Sequence, residues 1–140
     1  METARCGTLH LNDDEFLRAF ETCELPNNVF HHGDHVRAAW LYIRRFGEAG
    51  AESRLCDGIA RFASHYGATQ KYHHTMSVAW VRLIAAACHE TPEIVRFEEF
   101  LAAHPDLLEM RALSKYYSAS RLGSAEARAG WVEPNLRPLP

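Results

Sequence analysis

Apolar residues recur along most of this chain at intervals of three and four positions, the spacing that places side chains on one face of a helix. No stretch shows the strict alternation of apolar and polar residues that is typical of a half-buried strand. The pattern predicts four main helices, at about 13–25, 29–47, 51–66 and 71–89, followed by two or three shorter C-terminal helices. We therefore predict an all-α fold, an antiparallel helical bundle in which short connections join successive helices.

The two ends of the chain lack this periodicity. Residues 1–11 are expected to form a loose arm, and the proline-rich residues 131–140 are expected to form an extended tail that lies across the bundle. A chain of 140 residues is long enough for one complete core, so we predict a single domain over residues 1–140.

Residues that favour helix ends support these limits. Asn12 and Glu15 have the spacing of a capping box at the start of the first helix. Gly47 and Gly50 are suited to end the second helix. The pair Thr91-Pro92 predicts the start of a further helix after the fourth, with the threonine as its cap.

Two clusters contain five of the nine histidines. The segment 30–35, with sequence FHHGDH, opens the second helix, and the segment 72–75, with sequence YHHT, opens the fourth. His32 shares the inward stripe of its helix with Val36, whereas Ser77, Trp80 and Ile84 share one face with His73. Because the second and fourth helices of such a bundle run parallel, both clusters should lie at the same end of the molecule.

This convergence predicts a mononuclear metal site formed by His32, His35 and His73. His32 and His35 are three positions apart, which places both rings on one helical face. The positive end of a helix favours neutral imidazole, the form that binds metals. Three nitrogen ligands leave a position open for water or substrate, as in catalytic zinc sites, so zinc is favoured among divalent metal ions. A carboxylate ligand would favour iron or manganese instead, and copper is a further alternative.

Other residues near the clusters are candidates for roles in the same site. They are Asp34, Tyr72 and His74 as catalytic residues, and Arg37, Trp40 and Trp80 as substrate-binding residues. For the two tryptophans the alternative is packing in the core, and for Arg37 it is a solvated helix face. The sequence leaves open whether His31, His65, Glu21 or Glu24 also contribute to the site.

The pattern F-x-H-x-x-H-V-R-x-A-W at 30–40, followed by Y-H-x-T at 72–75, resembles a family of small, helical, functionally uncharacterised bacterial proteins. The resemblance extends to the closing segment 133–140, EPNLRPLP. It favours His32 over His31 as a ligand and implies no particular reaction. In that family the residue after the second-cluster histidine is usually glutamate, whereas this chain has His74, which alters the ligands available to a metal.

Composition narrows the choice of partners. The net charge of −3 and a pI near 6.3 provide no basic surface for nucleic acid or for an anionic membrane. Four cysteines without a C-x-x-C pair, and no apolar leader segment, favour a reducing cytoplasm. We expect a small-molecule partner, and a homodimer is left open.

These features favour a metalloenzyme that acts on a small molecule, with hydrolytic or lyase-like chemistry in which the metal activates water or polarises an oxygen atom. One alternative is a non-catalytic module that binds a metal or a small ligand. Non-haem iron oxygen chemistry is a further alternative, and the last is an interaction protein whose histidines are incidental.

Overall fold

A computed structural model describes residues 6–140 of the chain, and this part contains α-helices and short 3₁₀ turns but no strand. The helices are α1 (Asp13–Glu21), α2 (His32–His65), α3 (His74–Glu90), α4 (Phe97–Ala103), α5 (Ala119–Leu122) and α6 (Ala125–Ala129). The 3₁₀ turns are Asn27–Val29, Thr69–Lys71, Pro105–Leu108 and Ala112–Lys115. The predicted all-α fold is confirmed.

Helix α1 begins as its sequence predicts. The Asn12 side chain accepts a hydrogen bond from the Glu15 backbone N–H, and the Glu15 carboxylate accepts one from the Asn12 N–H. This capping box satisfies backbone donors that the first turn leaves without partners. The buried face of α1 then carries Phe16, Leu17 and Phe20.

Helix α2 is folded back on itself at Gly47, whose φ of 78° lies in the left-handed region that favours glycine. We call residues 32–46 its first arm and residues 48–65 its second arm. A straight helix would separate residues 32 and 62 by about 45 Å. Instead, the rings of Phe30 and Phe62 are 5.0 Å apart between centroids. The two arms therefore correspond to the second and third predicted helices, joined by a single residue.

Helix α3 packs along α2 and starts at the same end of the bundle as α2. The first turns of both helices contribute histidines to one cavity, together with Leu55 and Ile59 from the second arm. The first arm and α3 thus run in the same direction, as the connections between the helices predict.

The segment before α1 is held firmly, which corrects the prediction of a loose arm for residues 7–11. Thr8 is fully buried, and its backbone N–H donates to the Asp34 carboxylate over 3.1 Å. The Arg37 guanidinium donates to the carbonyls of Thr8 and Leu11. Residues 1–5 of the predicted arm lie outside the described part of the chain.

The helix predicted to start at Thr91-Pro92 begins instead at Phe97. Thr91 caps the end of α3, since its hydroxyl donates to the carbonyl of Ala87, and it also hydrogen-bonds to the ring of His104. The threonine and proline therefore belong to the end of one helix rather than the start of the next. Phe97 and Phe100 of α4 pack on the ring of Trp40.

The C-terminal tail, residues 131–140, runs over the outside of the bundle. The Tyr117 hydroxyl donates to the Val132 carbonyl, and the Leu136 N–H donates to the Tyr116 carbonyl. Arg82 of α3 lies over the Trp131 ring, 4.2 Å from its centroid. Within residues 6–140, no helix has both the length and the apolar character needed to cross a membrane.

Candidate functional site

A cavity of about 280 Å³ lies between the start of α2, its second arm and the start of α3. Its described lining residues are His32, His35, Val36, Leu55, Ile59, Lys71, His73, Met76, Ser77, Trp80, Ile84 and Met110. The three predicted metal ligands and one predicted substrate-binding residue, Trp80, are therefore at one cavity. The other predicted site residues are not part of its lining.

His32 has one ring nitrogen engaged by the protein. Its Nε2 lies 2.9 Å from the carbonyl oxygen of Leu107, which can only accept a hydrogen bond, so Nε2 carries the proton. Burial lowers the pKa of His32, and the hydrogen bond to Leu107 opposes that effect. The neutral ring then presents Nδ1 as a hydrogen-bond acceptor or metal ligand. The rings of His32 and Trp80 pack in an edge-to-face arrangement, with their centroids 4.5 Å apart.

His35 lies one turn further along α2, at the same cavity. Its ring packs edge-on against Phe30, with centroids 4.4 Å apart, and makes no hydrogen bond to another described residue. Burial, reinforced by His32, lowers its pKa to about 3, so the ring is neutral at physiological pH.

The free nitrogens of these two rings are accessible. Among the described residues, Arg37 Nε is the one fully buried side-chain nitrogen or oxygen atom that has no hydrogen-bond partner. The unpaired nitrogens of His32 and His35 are therefore not fully buried, and both rings line the cavity.

His73 differs because both of its nitrogens are engaged. Its Nδ1 accepts a hydrogen bond from the Met76 N–H at 3.1 Å and so caps α3. Its Nε2 lies 2.6 Å from the carbonyl of Leu122, to which it donates. The predicted three-histidine site is therefore not assembled in this conformation. No group of three or more histidine, cysteine, aspartate or glutamate side chains within residues 6–140 is arranged to hold a metal ion.

Asp34, predicted as a catalytic residue, is directed away from the cavity and has a structural role instead. Its fully buried carboxylate accepts hydrogen bonds from the backbone N–H groups of Gly7, Thr8 and His31, and from the Thr8 hydroxyl. It thereby caps α2 and holds the preceding segment in place.

Arg37 and Trp40 are likewise structural. The Arg37 guanidinium pairs with the Asp13 carboxylate at 3.0 Å and lies over the Phe16 ring, on the side of α2 that faces the N-terminal segment. The Trp40 ring is buried and packs against the two phenylalanines of α4. Neither residue is among the described residues that line the cavity, so this cavity does not support their predicted role in binding a substrate.

Tyr72 and His74 form a pair next to the cavity without lining it. The Tyr72 hydroxyl and His74 Nδ1 are 2.8 Å apart. Burial raises the pKa of Tyr72, which keeps the phenol protonated. The neighbours of the pair in sequence, Lys71 and His73, do line the cavity.

Sequence reasoning missed part of the lining. The face of α3 that carries His73, Ser77, Trp80 and Ile84 was identified correctly. Lys71, Met76 and Met110 were not identified, although the position of Lys71 beside the second histidine cluster was an available signal.

Comparisons with protein-family models, with curated proteins and with solved structures find no match for this chain. The proposals below therefore rest on the cavity and its residues.

Proposed function

We propose that the cavity binds a small organic molecule that has an apolar body and a hydrogen-bond donor directed at His32. One observation carries this proposal: the Leu107 carbonyl fixes the tautomer of His32, leaving Nδ1 as an accessible acceptor at the cavity. A site that offers a few placed polar groups among apolar walls is typical of small-molecule binding.

The walls of the cavity suit an apolar ring. Leu55, Ile59, Trp80 and Ile84 all contribute to its lining, and the neutral rings of His32 and His35 add further flat surfaces. The volume of about 280 Å³ exceeds the roughly 150 Å³ that accommodates benzene in an engineered cavity, so a substituted single ring has sufficient space.

Calorimetric titration with p-cresol and toluene tests the proposal, because the two molecules differ in the hydroxyl that would donate to His32. One hydrogen bond to an otherwise unpaired acceptor contributes about 1 kcal/mol, so p-cresol should bind about fivefold more tightly. His32→Leu should remove this preference, and the exposed His89→Leu variant should keep it. Equal affinities in the wild-type protein, or binding of neither molecule at millimolar concentration, would refute the proposal.

A metal site at His32 and His35 is a second candidate, and the Leu107 contact favours it as well. Metal-binding histidines commonly donate their other N–H to a backbone carbonyl, as His32 does. Two nitrogen ligands would leave positions for water or a substrate, which would allow hydrolytic or lyase-like chemistry. Zinc suits these ligands best, while iron, manganese and copper are alternatives.

Competition between the protein and a chromophoric zinc chelator tests this second candidate. One equivalent of zinc should bind, and His35→Leu should abolish the binding. His73→Asn should leave zinc binding intact, because both ring nitrogens of His73 already form hydrogen bonds and asparagine can still cap α3. If His73→Asn lost zinc binding, His73 would be a ligand and the three-histidine site would be supported. If the wild-type protein did not bind zinc, the metal site would be refuted.

A further inference from the structure

The charge at the cavity indicates what kind of ligand it accepts. Lys71 is the one residue with a full charge among the described residues that line it, and none of them is aspartate or glutamate. His32 and His35 do not add charge, because burial disfavours their protonated forms. The formal charge of the described residues at this lining is therefore positive.

Lys71 is free to pair with a ligand. It is the last residue of the turn Thr69–Lys71, its side chain is exposed, and it forms no ion pair with a carboxylate of the described residues. Two residues later His73 caps α3, which has no acidic side chain in its first turn. The partial positive charge of that helix end adds to the charge of Lys71.

The nearest buried carboxylate does not offset this charge at the cavity. Asp34 is on the first turn of α2, but its oxygens are directed to Gly7, Thr8 and His31. Four hydrogen-bond donors already saturate it, and it is not part of the lining. An anion at the cavity mouth would therefore meet a cation and no competing carboxylate from the described residues of the lining.

We propose that the ligand of this cavity is an aromatic monocarboxylate bearing a hydroxyl group, whose carboxylate pairs with Lys71 at the mouth while its hydroxyl donates to His32 Nδ1 inside. This inference rests on the proposed function, since it needs the apolar cavity to bind a ring. It assigns to Lys71 the selection of acids over their neutral analogues.

Titration with 4-hydroxyphenylacetate and with 4-hydroxyphenylacetamide tests the selection of an acid. An exposed ion pair contributes up to about 1 kcal/mol, so at low ionic strength the acid should bind about three- to fivefold more tightly than the amide. Salt screens exposed charges, and the preference should fall below about twofold in 0.5 M sodium chloride.

Lys71→Gln is the decisive variant, and Lys115→Gln is its control because Lys115 is exposed and does not line this cavity. Lys71→Gln should abolish the preference for the acid over the amide, and Lys115→Gln should leave that preference unchanged. If p-cresol binds but the acid and the amide bind equally, this inference fails and the proposed function stands. If p-cresol also fails to bind, both fail. A preference that survives Lys71→Gln would overturn the role of Lys71.

Discussion

Replacing Asp34 by alanine is expected to lower the free energy of unfolding by about 3–5 kcal/mol, because the change leaves several buried donors without an acceptor. The carboxylate is fully buried and binds three backbone N–H groups and the Thr8 hydroxyl. The same change removes the hydrogen bonds that hold Thr8, whose carbonyl also accepts a hydrogen bond from Arg37. Urea denaturation followed by circular dichroism measures the loss.

Two further variants separate this network from a general effect of charge. The free energy of unfolding of Asp34→Asn should lie between those of the wild type and Asp34→Ala. Its amide keeps one acceptor oxygen, but its NH₂ group faces hydrogen-bond donors and cannot accept from them. Asp57→Ala removes an exposed carboxylate from the second arm of α2 and should change stability by less than about 0.5 kcal/mol. If Asp34→Ala were as mild as Asp57→Ala, the role given to Asp34 would be wrong.

Acidification should destabilise the protein through His35. Its pKa in the folded protein, about 3, is below the value of about 6.5 for an unfolded chain, so the folded state binds fewer protons. The stability that depends on neutral His35 is complete above pH 6.5 and is lost as the pH falls towards 3. Between pH 7.5 and 4.5, this one group should lower the free energy of unfolding by about 2–3 kcal/mol.

The comparison that isolates His35 is the difference in unfolding free energy between the wild type and His35→Leu, measured by urea denaturation at several pH values. Leucine does not titrate. The free energy of unfolding of the wild type, measured relative to that of His35→Leu, should therefore fall by about 2–3 kcal/mol as the pH is lowered from 7.5 to 4.5. His89→Leu removes an exposed histidine outside the cavity and serves as the control. A pH-independent difference for His35→Leu would show that His35 is not held neutral.

Periodicity and topology were sufficient to predict how the two histidine clusters meet. Apolar stripes identified both arms of α2 and α3, and the short connections fixed their relative directions. His32 and His73 therefore came to one cavity, although they are 41 positions apart in the chain (73 − 32). Their proximity depends on the direction of the helices, which the sequence encodes locally.

The chemical state of each histidine could not be predicted in the same way. It depends on carbonyl groups from the irregular C-terminal segment: Leu107 binds His32, and Leu122 binds His73. Such segments carry no periodic signal, so nothing local indicates where their backbone groups lie. For this reason the sequence predicts His73 as a metal ligand, whereas in the structure both of its ring nitrogens form hydrogen bonds.

Asp34 illustrates a second limit. Its position among the histidines suggested a catalytic carboxylate, yet successive helical positions differ by about 100°, so a residue between His32 and His35 need not share their face. Its partners, Gly7 and Thr8, belong to a segment without helical periodicity. The sequence thus suggested a carboxylate at the histidine site and did not indicate the surface that Asp34 contacts.

Long-range ¹H–¹⁵N correlation of the histidine rings, recorded with and without p-cresol, tests the central claim most directly. The account predicts that His32 carries its proton on Nε2, that its Nδ1 is unprotonated, and that p-cresol shifts the Nδ1 signal while the His73 signals change little. A proton on Nδ1 of His32, or an Nδ1 signal that does not respond to saturating p-cresol, would contradict it.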